Sequence, residues 1–251
     1  MRDALAGRDS GAGGRGQGGE GVSGVRKSMW GAIAMVFAMT LAACSADRGT
    51  SPQEVRELAG SAKAAAARRD AENQLRSAAS EYVDRTSLDL GLVVLRDTCF
   101  GGEGDQWLEP GDPYKIKCRM EITAYFGADP KRIASVLDEV LGAGERPGSQ
   151  IPYTRAGDGA IRDYYRHAGA DDGRMEPGRM DLGSYSLSWD TLYREPPMPI
   201  EEPEACVVDD PPVRRCVREP AAASVADIRK RHGMVFQLSM DAPQYFQLPK
   251  D

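Results

Sequence analysis

The chain has 251 residues with 32 basic and 38 acidic side chains, a formal net charge of −6, and only two histidines. Residues 1–43 hold five of the basic and three of the acidic groups, so the remaining 208 residues carry −6 − 2 = −8. That charge argues against nucleic acid as a partner and against adhesion to an anionic surface by net charge, while 208 residues suffice for a domain with a real core.

In chain order, residues 1–24 are dominated by glycine with scattered Arg, Asp and Ser, a composition that cannot bury a core. They read either as a long n-region or as sequence upstream of a later translation start, for instance at Val22 or Val25. Arg26 and Lys27 follow, then an apolar run from Met29, ending in Leu41-Ala42-Ala43-Cys44. The run is shorter than the roughly 18 apolar residues a spanning helix needs, and its basic flank and small-residue end are those of a signal peptide. The ending resembles the lipobox of bacterial lipoproteins. This resemblance covers residues 26–44 only and implies cleavage after Leu41, Ala42 and Ala43, with a diacylglycerol placed on Cys44. The expected location is therefore the outer side of the cell membrane, with the membrane itself as partner through the lipid. Residues 45–50 would be a tether.

Ser51-Pro52-Gln53-Glu54 is a capping-box start, and apolar residues at helical spacing predict one long helix to about Thr86. Alternation predicts strands over 88–95 and 114–126, joined as a hairpin across the Gly-rich segment 100–113. In the first strand Leu88, Leu90, Leu92 and Val94 would share a face. In the second, Tyr114, Ile116, Cys118, Met120, Ile122, Ala124 and Phe126 would point inward. Asp129-Pro130 then starts a helix ending near Gly142. Residues 151–167, with Gly157-Asp158-Gly159 in the middle, read as a second hairpin. A further strand is expected over 183–193, an extended Pro-rich loop over 195–220, a short helix from Ser224 to Gly233, and a final strand from Met234, with 244–248 as an edge piece. The sum is an α+β fold: a largely antiparallel sheet with a long N-terminal helix and two shorter helices packed on one face, spanning 51–251 as a single domain.

Cys99, Cys118, Cys206 and Cys216 are an even set in a chain expected to leave the cytoplasm, and proximity favours Cys99 with Cys118 and Cys206 with Cys216. Facing Cys99 with Cys118 sets odd positions of one strand opposite even positions of the other, which demands a bulge or an end-of-strand bridge. The rival, a zinc site of four thiolates, lacks any CxxC pair.

Motifs of the common hydrolases, nucleotide-binding loops and zinc proteases are absent from the sequence. Tyr164, Tyr165, His167, Asp171 and Asp172 form the candidate ligand site, where His167 with Asp171 or Asp172 has the composition of an acid-base couple. Asp158, Asp163, Asp171, Asp172 and Asp181 in Gly-rich turns carry oxygen donors of the kind calcium takes, without an EF-hand spacing. Tyr153, Tyr185, Trp189 and Tyr193 read as core aromatics first and pocket lining second. The sequence thus points to an anchored envelope protein that binds a small ligand or another envelope protein. A membrane-anchored enzyme using Asp, Tyr or His167 is the alternative.

Overall fold

The computed structural model describes residues 49–106, 109–167, 175–206 and 213–250. The signal and lipobox-like residues Leu41, Ala42, Ala43 and Cys44 lie outside the described residues, as do Asp171 and Asp172. Ser45–Asp251 forms one compact unit by itself.

The sheet starts from β2, Tyr114–Ala128, whose inward residues Ile116, Cys118, Met120, Ile122, Ala124 and Phe126 are all fully buried. β1, Asp89–Gly101, pairs antiparallel on one side of it and β6, Met234–Pro249, on the other. β6 is continuous through the residues expected as a separate edge piece, and it sits inside the sheet. β3, Arg179–Leu182, and β4, Tyr185–Trp189, make a hairpin turning at Gly183, whose φ of 59° suits glycine. With β5, Val213–Glu219, the order is β3-β4-β6-β2-β1-β5, with every pairing antiparallel. The α+β class is therefore as expected.

The expected single N-terminal helix is two. α1, Pro52–Ala59, ends at Gly60, and Ser61 starts α2, Ala62–Arg85, by accepting a bond from the Ala64 amide. A second serine N-cap beside a glycine outweighs the continuous apolar spacing. A 3-10 turn at Pro130–Arg132 leads into α3, Ile133–Gly144, where the sequence places a helix. The expected second hairpin is instead α4, Arg155–Arg166. Two glycines cost such a helix about 1 kcal/mol each. Thr154 offsets this by accepting from the Gly157 amide while Asp158 accepts from the Thr154 amide. Arg155 and Arg162 then both close on Asp138 of α3.

Helices α1 to α4 cover one face. Ala71, Leu75, Ala78, Ala79 and Tyr82 of α2 meet Met120, Ile122 and Phe126 of β2 and Phe236 and Leu238 of β6. Val55 and Ala59 of α1 close on Cys99, Ile116 and Cys118. The short helix α5, Val225–His232, is capped by Ser224 and ends at Gly233 as expected, but it lies on the opposite face. There Val225 and Ile228 pack on Leu92, Val94, Tyr125 and Val235. An added Cβ would fall 2.5 Å from the Ile228 side chain at Gly91 and 2.3 Å from the His232 ring at Gly127, so these glycines admit the helix.

β1 carries an irregularity between Leu90 and Leu92. Before it Leu88 enters the main core; after it Leu92 and Val94 turn under α5, and Leu95, Asp97 and Cys99 face α1 and α2. Leu88, Leu90, Leu92 and Val94 therefore do not share a face, because one extra residue flips everything beyond it. The same shift sets Cys99 directly opposite Cys118, with Cα atoms 4.0 Å apart and the disulfide formed. Cys206 and Cys216 form the second disulfide. Cys216 belongs to β5, which occupies part of the stretch expected as an extended loop and pairs along β1.

Asp97 is buried beneath α2. Its carboxylate accepts from Arg68 Nε and from the Tyr245 hydroxyl, each at 2.6 Å. Burial works against the Arg68 charge, but Asp97 outweighs it and the guanidinium pKa is raised.

Replacing Cys99 and Cys118 together by Ala opens a 19-residue separation. The chain-entropy model sets the loss at about 3 kcal/mol, to be read as a lower urea midpoint in equilibrium unfolding.

Candidate functional site

Tyr165, Tyr164 and His167 are brought to one end of α4, where Tyr165 is buried and His167 exposed. Tyr165 is buried: its hydroxyl accepts from Trp189 Nε1 at 2.8 Å and reaches the Glu176 carboxylate and the Pro177 carbonyl. Burial, with Glu176 adding to it, pushes the Tyr165 hydroxyl pKa up, which unsuits it for proton transfer near neutrality. Tyr164 stacks edge-on against that ring at 5.3 Å. His167 is the C-cap of α4, with Nδ1 2.7 Å from the Asp163 carbonyl oxygen and its ring exposed. Tyr165 and Tyr164 close the core at the end of α4.

Glu176 explains why. Its buried carboxylate accepts from the amides of Leu192, Tyr193 and Arg194, at 2.6 to 2.8 Å, so it organises the turn after β4. Asp190 does the same one step earlier: it accepts from Ile200 N, Val235 N and the Arg229 guanidinium. The expected strand over 183–193 consequently stops at Trp189.

Among the described residues, the calcium candidates Asp158, Asp163 and Asp181 have other partners. Asp158 holds the α4 cap, Asp163 pairs with Arg162 at 2.7 Å, and Asp181 pairs with Arg179 at 2.6 Å. Among the described residues no group of three or more His, Cys, Asp or Glu is placed to hold a metal. Tyr153 and Trp189 are core, whereas Tyr193 is half exposed. His232 caps the end of α5 and faces Asp89 at 3.3 Å.

A groove lies on the other face of the sheet. Along β2 burial alternates up to Glu121, then every residue from Ile122 to Ala128 is buried, because α5 covers only that half of the outer face. The uncovered half is a groove of about 600 Å³ lined by Arg96, Phe100, Tyr114, Lys117, Arg119 and Glu121, with Asp241 and Pro243 on its far wall. A shallower extension of about 250 Å³ shares Glu121 and Asp241 and runs over Ser184, Ser186 and Arg179 of the β3–β4 hairpin. Arg119 spreads over the Phe100 ring with 5.1 Å between guanidinium carbon and centroid. Arg96 gives one Nη2 bond to the Glu204 carbonyl, and its Nε is buried without a partner among the described residues. At the rim, burial and then Asp112 raise the Tyr114 hydroxyl pKa, so it stays a neutral donor.

The groove residues are absent from the sequence-based candidates. Lys117, Arg119 and Glu121 are visible only as outward positions of an alternating strand. Register alone joins them: Phe100 faces Lys117, Thr98 faces Arg119, Arg96 faces Glu121, and Glu121 in turn faces Asp241.

Among the described residues no helix is long and apolar enough to cross a membrane. No protein-family profile, curated protein or solved structure matches the chain.

Glu176→Ala strands three amides and a hydroxyl, and a loss of about 3 kcal/mol in equilibrium unfolding is expected. His167→Ala, at an exposed cap, is expected to change the same measurement by less than about 0.5 kcal/mol.

Proposed function

We propose that this chain is a lipid-anchored envelope lipoprotein, held by a diacylglycerol on Cys44 at the outer face of the cytoplasmic membrane, whose folded part binds a ligand or partner without catalysing a reaction. The observation that carries the reading is Leu41-Ala42-Ala43-Cys44, placed after a basic pair and a short apolar run. Two further features support it. Four later cysteines are paired as two disulfides, which suits an oxidising compartment. The chain also offers a groove of ligand size on a bare sheet face, lined by cations, aromatic rings and the acids Glu121 and Asp241.

The anchor follows from simple arithmetic. One acyl chain holds a protein only marginally, whereas the two of a diacylglycerol hold it stably. The folded part, at −8, gains nothing from net charge at an anionic surface, so the lipid carries the attachment.

In membrane fractionation the native chain is expected in the detergent phase, labelled by radioactive palmitate. Cys44→Ser is expected to lose the label and the shortened N-terminus together. A Cys44→Ser chain that still partitions into detergent like the native one would refute the anchor.

A further inference from the structure

We propose that the groove on the bare half of the sheet receives the phosphate of an anionic phospholipid headgroup from the leaflet that holds the anchor. This rests on the lipoprotein reading above and adds the orientation of the domain and the chemistry of the ligand.

Charge is the first argument. Lys117 and Arg119 point into the groove from alternate positions of β2 and make no ion pair among the described residues; Arg119 has only the Phe100 ring. Arg96 enters from β1 with a buried Nε that no acceptor among the described residues reaches. Lys117 and Arg119 thus lie toward one end of the groove, whereas Arg96 sits level with Glu121, which faces Asp241 in turn, and pairs with the Glu204 carboxylate at 4.0 Å. Lys117 and Glu121 are four residues apart on one strand, or about 13 Å at the strand rise. The groove lining is basic toward Lys117 and Arg119 and mixed where Arg96, Glu121 and Asp241 stand level.

Position is the second. The Thr50 amide bonds the Gly102 carbonyl at 2.8 Å, and an added Cβ on Gly49 would meet Gly102 and Gly104 at 2.8 Å. The chain therefore enters the fold beside the β1–β2 connection, at the sheet end where Phe100, Tyr114 and Lys117 form the mouth, with Asp112 beside Tyr114. From Cys44 to Gly49 is five residues, with a reach of about 17 Å when extended. A lipid on Cys44 keeps that mouth within headgroup distance of the leaflet.

The overall charge of −8 does not oppose this. At physiological salt, exposed charges beyond about 8 Å are screened, so the groove cations set the potential at contact. The tether also replaces a search in solution by a high effective concentration, which makes a weak headgroup site sufficient. Phe100 and Tyr114 at the mouth suit the interfacial zone, where aromatic rings with a polar edge or a neighbouring cation are favoured.

The test is calorimetric titration of the lipidated mature chain, held in a neutral detergent, with dihexanoyl phosphatidylglycerol, dihexanoyl phosphatidylcholine and inorganic phosphate. Saturable binding of phosphatidylglycerol is expected, with none for phosphatidylcholine. Lys117→Glu with Arg119→Glu is expected to weaken it at least about tenfold, since each basic residue near an anionic headgroup contributes substantially. Lys117→Gln with Arg119→Gln gives the milder version should charge reversal disturb folding, and Lys131→Glu, at the far end of the sheet, is expected to leave binding unchanged. Equal binding of both lipids, no binding of phosphatidylglycerol, or full binding by the glutamine variant would overturn the proposal. Inorganic phosphate binding as tightly as phosphatidylglycerol would overturn the lipid as occupant and assign the groove to a free anion. Absence of lipid on Cys44 would be seen by mass spectrometry of the same sample, so failure of the anchor and failure of the groove are distinguishable.

Discussion

One extra residue in β1, between Leu90 and Leu92, sets the arrangement of everything around it. Side chains on a strand alternate strictly, so a one-residue shift exchanges the two faces for all that follows. Without it, Cys99 and Asp97 would face away from α2 and the disulfide to Cys118 could not close. With it, Leu92 and Val94 turn to the opposite face and require a cover, which Val225 and Ile228 of α5 supply. Fully burying each such aliphatic side chain is worth about 1.5 to 3 kcal/mol, enough to hold an eight-residue helix that has little stability of its own. Since α5 is that short, it covers half of the face. The groove is the half it leaves.

The long connections are held by buried carboxylates. Asp97, Glu176 and Asp190 each lie at 7% exposure or less, and each is satisfied by several donors. A buried carboxylate left without donors is very costly, so Glu176 and Asp190 tolerate only the loop conformations that supply their amides, while Asp97 fixes Arg68 and Tyr245. In Glu176 and Asp190 this replaces the regular hydrogen bonding that the Pro-rich chain after Trp189 cannot make.

How much could be read in advance follows the same physics. β2 and α3 were legible because each is buried on one clear face: the inward set of β2 is buried at every position from Ile116 to Phe126. The two disulfide pairings were legible from proximity, and the need for a bulge followed from parity alone. α4 was hidden because its two glycines and arginines mask a stripe of Ile161, Tyr164 and Tyr165, while its stability comes from Asp138 on another helix. β5 was hidden because prolines flank a short edge strand whose support is the neighbouring β1. The break at Gly60 was legible in principle from Ser61, a cap residue directly after a glycine. The groove was not legible, since its cations are ordinary outward residues until three strands are placed in register.

In the proposed arrangement the tether and the groove are two parts of one device: a lipid on Cys44 would fix the distance of the domain from the leaflet, and the mouth with Lys117 and Arg119 lies at the end where the chain enters. Its most direct test is paramagnetic relaxation in the lipidated chain, embedded in nanodiscs whose headgroups carry gadolinium. The account predicts the strongest amide broadening at residues 98–104 and 114–119, with little at Pro130–Arg132 and α5. Broadening centred on the Pro130–Arg132 end of the sheet, or spread evenly over the domain, would contradict it.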